Sequence, residues 1–343
     1  MSIDASAALS VLYYVVLKIG NLRLLSPFIL APLSGISDLP FRLINRSFGC
    51  ELAFLEMISA RALVSKSRKT GEMLLSVPYD RPLGVQLLAN DPDILEKALE
   101  ITDAYKFDVV NINAACPVGK VTRRGEGAGL LREPRKLQEL LKAAVKCSTA
   151  PVTVKIRTGW DESSINAKDV ALSARDAGVQ GLFIHGRTAA QGYSGKTDYR
   201  IIGEIKNSID VPVIASGDIL SPELAKKMFD ETGCDGIVMA RGALGNPWIF
   251  RQTAAFLKTW KADQHPGLAE IRATMLTHLQ LCSDYYGEDN GTIIFRKFFA
   301  WYMRGLPETR PLREKAFHAK TTDQMVSVID AACTEKTGRL HAA

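Results

Sequence analysis

From Phe28 onward, short apolar runs end in small or polar residues and give way to longer amphipathic stretches, the alternation of strand with helix. The runs predict eight strands, at residues 28–31, 52–55, 83–88, 109–112, 152–156, 181–185, 213–215 and 236–239. Between them Asp38-Leu39-Pro40, Asp91-Pro92, Glu133-Pro134 and Ser221-Pro222 each place proline in a first helical turn, where a missing N–H costs nothing. Eight such units within about 220 residues predict an α/β fold of the (β/α)8 TIM-barrel type, for which ~250 residues is typical. A doubly wound open sheet is the runner-up. Upstream, Leu17-Lys18-Ile19 and Leu22-Arg23-Leu24 alternate around Gly20-Asn21, a hairpin pattern. After Asn246-Pro247 strand signals stop, and long helical stretches at 248–260, 270–285 and 292–303 predict a smaller all-α C-terminal domain. The expected organisation is an N-terminal extension (1–16), a barrel (17–247) and a helical domain (248–343), fraying after about residue 330.

Composition narrows the class without changing this picture. Of 343 residues 47% are hydrophobic and 23% charged, which excludes a disordered, collagen-like or coiled-coil chain. A net charge of +6 suits a polyanionic partner. Six cysteines without a C-x-x-C pair argue against a zinc site and against a disulfide framework, so no metal and a reducing, cytoplasmic location are expected. The apolar run at 11–17 is too short to span a bilayer and lacks a basic lead or cleavage signal, so no membrane partner is expected.

In a barrel the reactive groups come from the carboxyl ends of the strands. What stands there is Leu33-Ser34-Gly35 after the first strand, Gln86 in the third, and Asn113 with Cys116-Pro117 after the fourth. Lys155 and Arg157 follow at the fifth, His185 and Arg187 at the sixth, Ser216-Gly217-Asp218 at the seventh and Ala240-Arg241-Gly242 at the eighth. The second strand offers only Glu56. The small residues of the last two turns, with Arg241, suit an anion held on backbone N–H groups, as barrels often hold phosphate there. Gly125-Glu126-Gly127-Ala128-Gly129 has the wrong spacing for a dinucleotide fingerprint and reads as a mobile, basic, glycine-rich loop beside the site.

Cys116 differs from the other cysteines in lying just past a strand end, where a mostly protonated thiol can donate a proton as well as act as nucleophile. Lys155 shares a strand face with Thr153; if that face is the interior, its ammonium sits under whatever fills the mouth, and otherwise it snorkels from the core. His185 reads equally as a core histidine. Between Ile293 and Lys320, seven basic residues, Arg296 and Lys297 among them, oppose two acidic ones and interleave with Phe295, Phe298, Phe299, Trp301 and Tyr302. That is a nucleic-acid footprint in its charges, while most of the aromatics read better as the small domain's core.

Five blocks together resemble one family: 30–38 (LAPLSGISD) with Pro40-Phe41-Arg42, 111–117 (NINAACP) with Lys120-Val121, Val154-Lys155-Ile156-Arg157, His185-Gly186-Arg187-Thr188, and 241–248 (RGALGNPW). In order and spacing they resemble the bacterial tRNA-dihydrouridine synthases of the DusB type, from about residue 17 to 307. The resemblance implies an FMN-dependent barrel with a helical tRNA-binding domain, NADPH or NADH as reductant, and no obligate protein partner. It implies that flavin gives hydride to C6 of a uracil while Cys116 protonates C5. Leu33, Ser34, Gly35, Gln86, Lys155, His185, Ser216, Gly217, Asp218, Ala240 and Arg241 would hold FMN, Asn113 and Arg187 would face the uracil, and Arg296 and Lys297 would meet tRNA. Leu33-Ser34, Ala115, Ser216 and Ala240 depart from the family's usual Met-Ala, Gly, Asn and Gly. The alternatives are a related flavin enzyme acting on ribosomal RNA or a free pyrimidine, and a non-catalytic RNA-binding homologue.

Overall fold

The computed structural model describes residues 16–261, 265–305 and 309–334; the expected N-terminal extension and the run at 11–17 lie essentially outside them. Strands β1 (Leu17–Ile19) and β2 (Leu22–Leu24) form the hairpin, paired in the register that Gly20-Asn21 dictates, Ile19 opposite Leu22. Eight further strands follow: β3 (Phe28–Leu30), β4 (Leu52–Ser59), β5 (Leu83–Leu88), β6 (Val109–Ala114), β7 (Val152–Arg157), β8 (Leu182–His185), β9 (Val213–Ser216) and β10 (Gly236–Met239). All are parallel, each pairs with the next, and β10 closes onto β3 through Ile237 opposite Phe28. Closure distinguishes the barrel from the open-sheet alternative.

The proline-marked helices begin where expected. The carboxylates of Asp38 and Asp91 accept from Phe41 N at 2.9 Å and Ile94 N at 3.1 Å, and Ser221 Oγ accepts from Leu224 N at 3.3 Å; Glu133 makes no such cap. The second strand runs four residues past its expected end. Between Phe54 and Met57 its pairing with β5 shifts register, so polar Glu56, which reads as a strand end, sits inside a bulged strand. The segment expected to be a mobile glycine-rich loop is instead a buried 3-10 helix, Gly127–Arg132, bonded from Ala128 N to Cys116 O at 3.0 Å. Gly127 has φ +57, and a Cβ there would lie 2.7 Å from Cys116 O, so the glycines permit close packing under the cysteine.

Inside the barrel, inward positions rise in layers. The lowest is apolar: Ile29, Phe54, Val109, Phe183 and Ile214 pack with Leu17, Ile19 and Leu24 of the hairpin, which stoppers the amino-terminal end. Gly84 leaves room for the Phe54 ring, which meets Phe183 edge-on at 5.6 Å. Above this floor β6 and β7 present Asn111, Asn113, Thr153, Lys155 and Arg157, spaced by two as one strand face requires.

Helix Ile249–Thr259 packs on the barrel helix Pro222–Thr232, with Lys226 Nζ 4.1 Å over the Trp260 ring, and so takes the place of the eighth outer helix. The helices beyond it are Leu268–Tyr286, Glu288–Tyr302, Arg310–His318 and Thr322–Ala332. The last two have no counterpart among the expected helices, and the final one ends at Ala332; the expected fraying after about residue 330 falls mostly outside the described residues. Phe295, Phe298, Phe299 and Tyr302 are buried, and Phe298 stacks on Phe41 of the barrel helix Leu39–Ser47 at 5.6 Å. Those aromatics are core and domain contact. Among the described residues no helix is long and apolar enough to cross a membrane.

Helix Leu39–Ser47 is fixed by a buried carboxylate. Asp80, fully buried, accepts from Arg42 Nε at 2.8 Å, Arg46 Nε at 2.6 Å and Ser76 Oγ at 2.7 Å. Asp80→Ala leaves two guanidinium groups without their counter-ion, one fully buried, and is expected to cost about 3–5 kcal/mol in urea denaturation; a loss under about 1 kcal/mol would show that the pair does not hold the helix.

Candidate functional site

Every barrel strand contributes to one cavity of about 320 Å³ at the carboxyl ends. Leu33 and Ser34 come from the loop after β3, Met57 from β4 and Gln86 from β5. Asn113 and Cys116 come from β6 and its loop, Lys155 and Arg157 from β7, and His185 from β8. Ser216, Gly217 and Asp218 follow β9, and Ala240 and Arg241 follow β10. Catalytic, cofactor and substrate candidates scattered over more than 200 residues thus meet at one mouth, with four exceptions.

Gly35 does not line the cavity. Its φ of +71 turns the loop, its N–H donates to the Glu56 carboxylate and its C=O accepts from Lys297 Nζ. Lys297, expected to meet RNA, gives one bond from the helical unit to the barrel loop. Arg296 likewise turns inward, its guanidinium donating to Ala319 O at the end of helix Arg310–His318. Arg187, expected to face a uracil, is buried behind the wall: it donates to Ser194 O at 2.9 Å, Gly195 O at 2.6 Å and the Asp218 carboxylate. The carbonyls of its own following loop absorb its donors.

Arg157 lines the cavity instead. Its two-residue offset from Lys155 puts it on the inner face, a signal present in the sequence and not used to give it a role. It donates to Ala115 O at 2.8 Å, to Thr188 O at 2.8 Å and to Gly192 O at 2.9 Å, tying the cysteine loop to the loop after β8. That second loop also carries Tyr193, which lines the cavity and lies under the guanidinium of Arg241 at 4.5 Å. No periodic pattern marks Tyr193.

Charges around the mouth are unbalanced. Lys155, Arg157 and Arg241 face one carboxylate, Asp218, which salt-bridges Arg187 and Arg241, and its hydrogen bond to Arg187 chiefly holds its pKa below the usual carboxylate range. Burial, then the nearby Arg157 charge, lowers the Lys155 ammonium to about 7. Its one hydrogen-bond partner among the described residues is Ser216 Oγ at 3.2 Å. Burial and the same cations push His185 down to about 2, so the ring is neutral, and its Nε2 lies 3.4 Å from Arg187 Nη1. Burial raises the Cys116 thiol against the opposing pull of a Val118 backbone bond, Arg157 and Lys155. It is a protonated thiol at neutral pH, able to donate a proton and poorly disposed to attack as a thiolate.

The two turns expected to hold phosphate touch each other. A Cβ on Gly242 would lie 2.2 Å from Ile219 O, and Gly217 has φ +131, so only glycine allows the β9 and β10 loops to bring Asp218 and Arg241 together at the rim. An apolar cavity with an under-bonded lysine, an arginine at its edge and a few amide groups fits a planar ligand carrying an anionic end.

The dihydrouridine synthase model matches residues 29–337. The tRNA-dihydrouridine synthase B of Pseudomonas aeruginosa is 38% identical over 90% of this chain and 93% of its own length. A probable tRNA-dihydrouridine synthase of Rickettsia typhi is 38% identical over 87% of this chain and 91% of its own. Among solved structures, the 6-hydroxypseudooxynicotine amine oxidase of Pseudomonas geniculata N1 shares the fold at 15% identity with a TM-score of 0.58, covering 80% of this chain and 53% of its own. By the span of the family match and by these relatives, the chain belongs to the dihydrouridine synthase family.

Proposed function

We propose that this chain reduces the C5–C6 double bond of uridines in tRNA, with FMN as resident cofactor, NADPH or NADH as reductant and Cys116 as the proton donor. The observation that carries the reading is that a protonated thiol and a lysine short of hydrogen-bond acceptors line the same cavity. The names of the relatives supply the substrate class.

Leu33, Ser34, Gln86, Lys155, His185, Ser216, Gly217, Asp218, Ala240 and Arg241 would hold FMN, Arg241 and the glycine turns at its phosphate and Lys155 at its ring. A bound flavin supplies the hydride for C6. The rest is the work of this chain's own groups. Reduction at C6 builds negative charge across C5 and O4, and Cys116 Sγ, held neutral by burial, gives its proton to C5. Asn113 and Arg157 line the same cavity; in this reading they would meet the uracil edge, Asn113 as first expected and Arg157 in the place first expected of Arg187. The base must leave its stack to enter, and exposed Tyr193 and Val118 at the mouth offer it surface. With Arg296 and Lys297 engaged internally, the RNA-facing charge falls to exposed Arg310, Arg313, Lys315 and Lys320 beside Phe317, 66% exposed.

Protein reconstituted with FMN should be bleached by NADPH or NADH and reoxidised by unmodified tRNA with formation of dihydrouridine, read by mass spectrometry; a flavin spectrum indifferent to both reductants would end the proposal. Cys116→Ala should keep the bleaching and lose about a hundredfold or more of the tRNA-driven step, and equal turnover would remove Cys116 from its role. Because burial lowers Lys155 to about 7 and acceptors on the bound ring favour its charged form, FMN affinity should fall as pH rises above 7. Calorimetry in buffers of different ionisation heat should show proton uptake on binding at pH 8, absent in Lys155→Met; uptake unchanged in that variant would assign the proton elsewhere.

A further inference from the structure

Below the cavity a single file of side-chain hydrogen bonds climbs the barrel interior. Thr153 Oγ1 donates to Val110 O at 2.9 Å and accepts from Asn111 Nδ2 at 2.8 Å. Asn111 Oδ1 accepts from Gln86 Nε2 at 2.8 Å, and Gln86 Oε1 accepts from Asn113 Nδ2 at 2.7 Å. Asn113 Oδ1 then accepts from the backbone N–H groups of Ala115 and Cys116, both at 2.9 Å. Asn111 and Thr153 are fully buried and line no part of the cavity.

The two ends of the file are backbone groups, whose polarity is fixed. A carbonyl at the bottom can only accept, and two N–H groups at the top can only donate. Between them each amide has one workable orientation, and every link agrees with it. The consequence falls on two cavity residues. Gln86 must direct its carbonyl to Asn113 and its amino group to Asn111, which leaves its second N–H for the cavity. Asn113 must hold the turn at Ala115 and Cys116 by two bonds to one oxygen, with its Nδ2 committed to Gln86 and near Met57 Sδ at 3.1 Å.

We propose that Asn111 and Thr153 are positioning residues for the reductive chemistry: acting through Gln86 and Asn113, they fix the amide orientations at the cavity floor and the placement of the Cys116 thiol. This rests on the function proposed above. Proton transfer to C5 is sensitive to donor position at the ångström scale, whereas delivery of reducing equivalents from NADPH does not use Cys116. A defect at Thr153 should therefore divide the two halves of the cycle.

Thr153→Val keeps the shape of the side chain and removes its hydroxyl, leaving Asn111 Nδ2 without an acceptor in the interior. The expected result is bleaching of bound FMN by NADPH within about twofold of the parent and tRNA-driven reoxidation slowed about ten- to a hundredfold. Alkylation of Cys116 by iodoacetamide, followed on its own peptide by mass spectrometry and needing neither flavin nor tRNA, should change several-fold in rate. Thr153→Ser, which restores the hydroxyl, should return both readouts to parent values. If Thr153→Val does not accumulate as folded protein, Thr153→Ala carries the same test against the serine variant. Parent-like reoxidation and alkylation in Thr153→Val, even with a lowered Tm, would overturn the proposal, as would a serine variant as slow as valine. A parent protein whose flavin is not bleached at all refutes the proposed function, and the alkylation comparison still decides the positioning role.

Discussion

The site exists because β10 pairs with β3. Closure of the eight parallel strands points all their carboxyl ends at one mouth, and the inward residues of β6 and β7 then face those of β5, β8 and β9 across a narrow interior. The hairpin and the apolar layer above it seal the opposite end, so the polar groups of the upper layers have no route to water except the mouth. Burial is what moves their protonation. It is the largest cause of the shifts at Lys155, His185 and Cys116 alike, and in each case it favours the neutral form. The same constraint thus yields an amine near its neutral point, an uncharged imidazole and an unionised thiol.

These three neutral tendencies have different chemical meanings. For Lys155 the neutral form is a sign of missing charge, since an anion beside Nζ would reverse it. For His185 neutrality is compatible with accepting a bond from Arg187, because a ring without its second proton has a free lone pair. For Cys116 burial must win against three groups that favour the thiolate, and it does, which suits a group that gives a proton rather than attacks.

Much of this was legible in the chain. Alternation, proline at helix starts and polar residues at strand ends were enough for the barrel and for most of the cavity wall, because those signals are local and the barrel repeats them eight times. What escaped was set by tertiary contact. Glu56 lies within a strand because a bulge accommodates it, and the glycine-rich run is buried because Cys116 O needs a partner from Ala128. Arg187, Arg296 and Lys297 carry charge that suggests a substrate, yet each meets backbone carbonyls at a distance no pattern reveals.

Those three basic residues also bond the chain's own carbonyls. A guanidinium or ammonium group offers several donors, and a folded chain has helix and loop ends with carbonyls to satisfy. Lys297 meets Gly35 O while Glu56 meets Gly35 N–H, so the two peptide groups that flank one residue of the cavity loop are held by opposite charges from two parts of the molecule. Tyr286 adds a bond to Asp38, the cap of the helix that the same loop enters. The helical unit is therefore bonded to the back of a cavity loop.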